Sequence, residues 1–107
     1  MKGQREKRNL VPREADITRS IRDLLKTLGV FHWKNWGGPM GTSGIPDILG
    51  IWQGKMLGIE VKRPGGIVAE HQKAFLAKIN AEGGIAFVAR SVDDVIENLK
   101  IKDRFLV

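Results

Sequence analysis

Ile45-Pro46-Asp47-Ile48-Leu49-Gly50-Ile51-Trp52-Gln53-Gly54-Lys55-Met56-Leu57-Gly58-Ile59-Glu60-Val61-Lys62-Arg63 is the stretch that decides the fold. Two apolar-rich runs, Ile45 to Trp52 and Lys55 to Arg63, flank Gln53-Gly54, and a two-residue step between such runs reads as a β-hairpin. A loop of that length fixes the register: Trp52 faces Lys55, Leu49 faces Gly58 and Asp47 faces Glu60. Two carboxylates then stand opposite each other with Cβ atoms about 5 Å apart, a pair that destabilises a sheet unless something positive lies between them. Side chains alternate faces along a strand, so Lys62 shares the face of Glu60 while Val61 points to the other. A three-residue loop would shift the register by one and separate the acids.

Outward from the hairpin, the elements follow from period and punctuation. N-terminal to it, Ile17, Ile21, Leu24, Leu25 and Leu28 recur at helical spacing between Pro12, suited to a first turn, and Gly29, suited to a C-terminal cap. A helix is expected over roughly 12–28. The aromatic-rich segment Val30 to Trp36 reads as a strand and Gly37 to Gly44 as a loop, which lacks the Gly-Lys-Ser/Thr ending of a nucleotide-binding P-loop. After the hairpin, Pro64-Gly65-Gly66 breaks the chain. A second helix is expected over Ala69 to Glu82, with Phe75, Leu76 and Ile79 on one face and Gly83-Gly84 closing it. Ile85 to Ala89 is a short apolar strand, and Ser91 can cap a last helix through about Leu99 that buries Val92, Val95, Ile96 and Leu99. The order is α-β-β-β-α-β-α. The strand-helix-strand step after Arg63 makes its two strands parallel neighbours, so the class is α/β, with a mixed four-stranded sheet flanked by helices.

The chain has 107 residues, enough for a single core, with 42% hydrophobic and 28% charged residues. It contains no cysteine, which excludes a disulfide scaffold, a cysteine zinc site and a thiol nucleophile. No apolar run approaches the roughly 18 residues of a membrane span, and Met1 to Arg8 lacks the apolar centre of a signal peptide; a cytoplasmic location is expected. Residues 1–26 hold eight Lys/Arg against four Asp/Glu, a surplus of four within a net charge of +6. A basic arm over 1–11 followed by a domain over 12–107 suits a phosphate backbone, whose neutralisation releases counterions; a solubilising tail would carry the same charge.

Asp47 and Glu60 each interrupt an apolar run, where a charge is seldom kept without a partner. Mg²⁺ or Mn²⁺ fits such a place, because both favour oxygen ligands and leave positions for water and a phosphate oxygen. Gly44-Ile45-Pro46-Asp47, then Glu60-Val61-Lys62 thirteen positions on, resembles the PD-(D/E)XK nuclease signature. More narrowly, Ile59-Glu60-Val61-Lys62-Arg63-Pro64-Gly65-Gly66 with Gln72, Phe75 and Gly83-Gly84-Ile85-Ala86-Phe87-Val88 is similar to the VRR-NUC family over roughly residues 12–99. The Val-Arg-Arg for which that family is named is replaced here by Val61-Lys62-Arg63, which retains the lysine.

The resemblance implies a restriction-endonuclease-like core and a metal-dependent DNA endonuclease. It assigns Asp47, Glu60, the Val61 carbonyl and Glu14 to the metal, and Lys62 to positioning or activating water, or to stabilising the pentacovalent phosphorus. Glu14 also lies at the end of the apolar stripe of the first helix, where a helix N-terminus favours an acid in any case. Gln72 is carried near the site in the family; on its residues alone it could equally be a half-buried amide bonded to backbone. Lys34, Asn35, Thr42, Ser43 and Arg63 are the candidate DNA contacts. His32 and His71 read as surface or core-edge residues. Trp33, Trp36 and Trp52 read first as core, with base stacking or a subunit interface as the alternatives. Short standalone relatives resemble Holliday junction resolvases, which implies branched DNA and a homodimer. A nicking, flap or restriction-like nuclease and a catalytically silent DNA-binding module are the rival readings.

Overall fold

The computed structural model describes residues 11–37 and 43–101. The elements run α1 (Glu14–Thr27), β1 (His32–Lys34), β2 (Ile48–Trp52), β3 (Lys55–Val61), α2 (Glu70–Ala81), β4 (Ile85–Ala89) and α3 (Val92–Asn98). The order is the expected one, and the strands form one mixed sheet in the order β1-β2-β3-β4. The β2–β3 hairpin pairs Trp52 with Lys55, Leu49 with Gly58 and Ile48 with Ile59, so the register read from the two-residue loop holds. Its cause is visible in the turn. Gln53 and Gly54 both have positive φ, 50° and 81°, as a type I′ turn matched to strand twist requires. β3 and β4 are parallel neighbours, Glu60 beside Val88.

Alternation along β3 sorts the layers. Leu57, Ile59 and Val61 join Ile48, the α1 residues Ile17, Ile21 and Leu25, and Val95 and Leu99 in the main core, so α1 and α3 cover one face. On the other face Leu76 and Ile79 of α2 pack with Ala86, Phe75 and Val88. Gly58 lies under α2, where a Cβ would come 2.8 Å from Ile79 Cδ1 and 3.2 Å from Pro46 Cγ. Burial of this apolar surface, at roughly 25 cal/mol per Å², is the main force that holds the three layers together.

Several boundaries differ from the sequence reading. Pro12 lies outside the first helix because Arg13 is its extended N-cap, with ψ 154°. The strand expected over 30–36 is only His32–Lys34, since its pairing with β2 ends at Lys34 opposite Ile48. The second helix starts after Ala69, which offers no side-chain acceptor; Gln72 Oε1 accepts the Ala69 N–H at 2.9 Å instead. Ser91 caps α3 as expected, accepting the Asp94 N–H at 3.3 Å. Trp52 packs against the main core, whereas Trp33 and Trp36 are exposed, 41% and 81%, and core is the wrong reading for both. Trp33 lies on the part of the α2-side face that α2 leaves open, and Trp36 lies beyond the end of β1. Among the described residues, no helix is long and apolar enough to cross a membrane. The proposed arm, Thr42 and the C-terminal Phe105-Leu106-Val107 lie largely or wholly outside the described residues.

Candidate active site

Asp47 immediately precedes β2 and is fastened from both sides. Its carbonyl accepts the Asn35 N–H at 2.7 Å, and its carboxylate Oδ2 accepts the Val61 N–H at 2.8 Å. Pro46 ahead of it has no N–H to offer a ladder, and the side chain of Asp47 takes over the pairing of Val61. The N–H and C=O of one strand residue face the same neighbour, so the Val61 carbonyl is directed to the Asp47 side of β3.

Glu60 is 3% exposed, one of two polar residues in the buried set, and it projects to the α2 side. Gln72 Nε2 donates to its Oε2 at 3.1 Å, and Lys62 Nζ lies 3.6 Å from the same oxygen. Gln72 thus acts twice: its oxygen closes the first turn of α2 and its nitrogen orients Glu60. Burial raises the Glu60 carboxyl from an ordinary 4.5 to about 7, and Asp47 adds to this by its charge and by a hydrogen bond, against the pull of Lys62. The like-charge conflict expected from the hairpin register is therefore present, and Lys62 alone does not cancel it.

These donors suit a hard divalent cation: two carboxylates and a backbone carbonyl, with one carboxyl whose ionisation is held back first by burial and then by Asp47. Among the described residues no three His, Cys, Asp or Glu side chains form a group able to hold a metal. Glu14 is the first residue of α1 and is exposed; α1 packs on the face opposite the Glu60 side chain, and Glu14 does not complete a three-acid group. The start of α1 does lie at the same end of the sheet, since Pro12, Asp16 and Ile17 line a cleft with Arg90 and Ser91 after β4.

Lys34 is half-buried on β1, and Asn35 uses its side-chain oxygen to accept the Gly37 N–H at 3.0 Å. Ser43 and Arg63 are exposed. His32 is a structural residue, with Nδ1 2.9 Å from the Val30 carbonyl and Arg22 Nε donating to Nε2 at 3.5 Å. His71 is exposed. Sequence reasoning missed Arg90. Its guanidinium donates to the carbonyls of Arg63 at 2.8 Å and Gly66 at 2.9 Å, and so fixes the turn that follows Lys62. Backbone acceptors leave no trace in a sequence, so no signal marked it.

Comparison with curated proteins gave no match, and comparison with solved structures gave none. The model of the VRR-NUC domain matches residues 4–93, a span that includes Asp47, Glu60, Lys62 and Gln72. With most of its length matched and an α/β core of the kind that PD-(D/E)XK nucleases have, the chain belongs to the VRR-NUC family, and its domain implies a nuclease-type function in DNA processing.

Proposed function

We propose that the protein is a Mg²⁺- or Mn²⁺-dependent endodeoxyribonuclease that acts on branched DNA, as a Holliday junction resolvase working as a homodimer. The observation that carries the reading is the buried Glu60 carboxylate, opposed by Asp47 and contacted by Lys62 and Gln72. Asp47, Glu60 and the Val61 carbonyl would hold the cation, with Glu14 reaching in from the start of α1. When bound, the cation supplies a Lewis acid at the scissile phosphate and lowers the pKa of water.

The chain's own residues do the rest. Gln72 and Lys62 hold Glu60 in one orientation, and the Val61 N–H does the same for Asp47. The side chain of Lys62 is 14% exposed, so its ammonium is largely shielded yet open on one side. From there it holds the attacking water or meets the charge that gathers on phosphorus. Lys34, Asn35, Thr42, Ser43 and Arg63 are the proposed DNA contacts, with the basic arm over 1–11 adding affinity that is independent of sequence. DNA as substrate is consistent with a cytoplasmic location.

Resolving a four-way junction takes two cuts related by two-fold symmetry, and one domain offers one centre. Phe31, Trp33, Ile51 and Met56 are exposed hydrophobics. Pairing and alternation put Trp33, Ile51 and Met56 on the Glu60 side of the sheet, and the Phe31 ring lies 5.6 Å from that of Trp33. This uncovered apolar strip is the surface on which a symmetric pair would form. Cleavage of labelled four-way junction, flap, duplex and single strand, with Mg²⁺, Mn²⁺ or chelator, tests the reading alongside light scattering. Paired cuts in junction arms by a dimer are expected. A monomer that cuts flaps and leaves junctions intact would remove the resolvase reading and spare the nuclease one.

A further inference from the structure

On the face of the sheet away from the Glu60 side chain, α1 and the edge strand β1 leave a groove of about 290 Å³ lined by Arg19, Arg22, Lys26, Lys34 and Trp36, with Asp23 its one acid. Arg19, Arg22 and Lys26 recur at three- and four-residue spacing, so α1 presents them in one row. Arg19 Nη1 also meets Asp16 at 3.3 Å, an exposed pair that water and salt screen. Arg22 engages His32 through Nε alone, and Lys26 and Lys34 have no carboxylate partner among the described residues. The groove therefore holds a surplus of positive charge over several side chains.

Trp36 gives the groove a second property. It is 81% exposed, far more than an indole kept for packing, and Lys34 Nζ stands 4.5 Å from its ring centroid. The cation steadies one face of the ring and leaves the other open. A cationic row that tracks phosphates beside an aromatic ring that accepts a base of any identity is the combination by which proteins hold unpaired strands. The segment that edges the groove is tied to the reaction centre by a backbone hydrogen bond. Asn35, between Lys34 and Trp36, is the residue whose N–H holds the Asp47 carbonyl at 2.7 Å.

We propose that the α1–β1 groove is a second DNA subsite, which binds the phosphates of a strand separated from its complement and stacks one unpaired base on the open face of Trp36. The proposal rests on the reading of the chain as a DNA nuclease and specifies the DNA: one with splayed or unpaired nucleotides beside the cut, in preference to continuous duplex. Lys34 serves both properties, as the support of the indole and as a phosphate contact.

The test is fluorescence anisotropy in chelator, where nothing is cut, with a labelled thymidine oligonucleotide and a duplex of equal length. Trp36→Ala should weaken oligonucleotide binding about tenfold and duplex binding less than about twofold, and Trp36→Phe should restore most of the loss. Arg19→Ala combined with Lys26→Ala should weaken both and lower the salt slope by about 1.5. Thermal melting of each variant checks that the fold is kept. Equal effects of Trp36→Ala on both DNAs, or none on either, with wild-type binding intact, would overturn the subsite and leave the nuclease reading standing. Selective loss in Trp36→Ala from a protein that cuts no DNA in Mg²⁺ or Mn²⁺ would support the subsite and remove the nuclease reading.

Discussion

Replacing Glu60 by Gln in metal-free protein should stabilise the fold at neutral pH by an amount that vanishes in acid. The side chain is buried and its carboxyl is raised from 4.5 to about 7, first by burial and then by Asp47. Because the folded-state value lies above the unfolded one, the favourable contribution of this group is complete below about pH 4.5 and is lost as pH rises through about 7. At about 1.4 kcal/mol for each tenfold change in proton affinity, the interval corresponds to about 3 kcal/mol, with the opposing attraction of Lys62 already included. A glutamine at this position would keep the shape and could still accept from Gln72 Nε2, which donates to Glu60 at 3.1 Å in the wild type. Urea unfolding in chelator from pH 4.5 to 8 reads the difference: near zero at the acid end, growing to about 3 kcal/mol at the other. Added Mg²⁺ or Mn²⁺ should narrow it, because a cation that binds only the folded wild type stabilises only the wild type. A difference that stays constant with pH, or a variant less stable than wild type at pH 8, would refute the account of the Glu60 environment.

Other consequences are as definite. Asp47→Asn and Lys62→Ala should leave DNA affinity in chelator within about twofold of wild type, since in the proposed site they act on metal and water rather than on the phosphate backbone; anisotropy titration checks this. Gln72→Ala removes the hydrogen bonds to the Ala69 N–H and to Glu60, and should cost about 1 kcal/mol in urea unfolding and lower kcat more than it raises KM. Gly44→Ala should cost about 2 kcal/mol by the same assay, because φ there is +85° and a Cβ would come 2.5 Å from the His71 carbonyl oxygen, where the loop entering Pro46-Asp47 passes α2.

Much of the site was legible because the chain states it in local terms. Gln53-Gly54 specifies the turn, the turn specifies the register, and the register brings Asp47, one step beyond the Ile48–Ile59 pair, to the place of Glu60 without reference to any distant residue. Lys62 follows from alternation alone. Gln72 could be placed on the inner face of α2 by its spacing to Phe75, Leu76 and Ile79, but its two hydrogen bonds, one to the helix start and one to Glu60, depend on how α2 docks on β3. Trp33 and Trp36 depart from the core reading, which holds for Trp52, for a related reason. A Trp in a short aromatic run has the same sequence appearance whether the opposite layer covers it or not, and α2 packs against β3 and β4, leaving Trp33 uncovered. Arg90 binds carbonyls contributed by a turn 24 to 27 residues away, contacts that no residue pattern announces. Glu14 came from the resemblance and the apolar stripe; it is exposed at the start of α1, and its relation to Glu60 is set by how α1 docks on the sheet, which local spacing does not state.

The proposed site requires that DNA cleavage depend on a divalent cation held by Asp47 and Glu60. Incubating labelled four-way junction and duplex DNA with wild type, Asp47→Asn and Glu60→Gln, each in Mg²⁺, Mn²⁺ and chelator, tests it in one set of reactions. Cleavage by wild type with either cation, none in chelator, and none by either variant is the predicted result; cutting in chelator, or by Asp47→Asn at the wild-type rate, would contradict it.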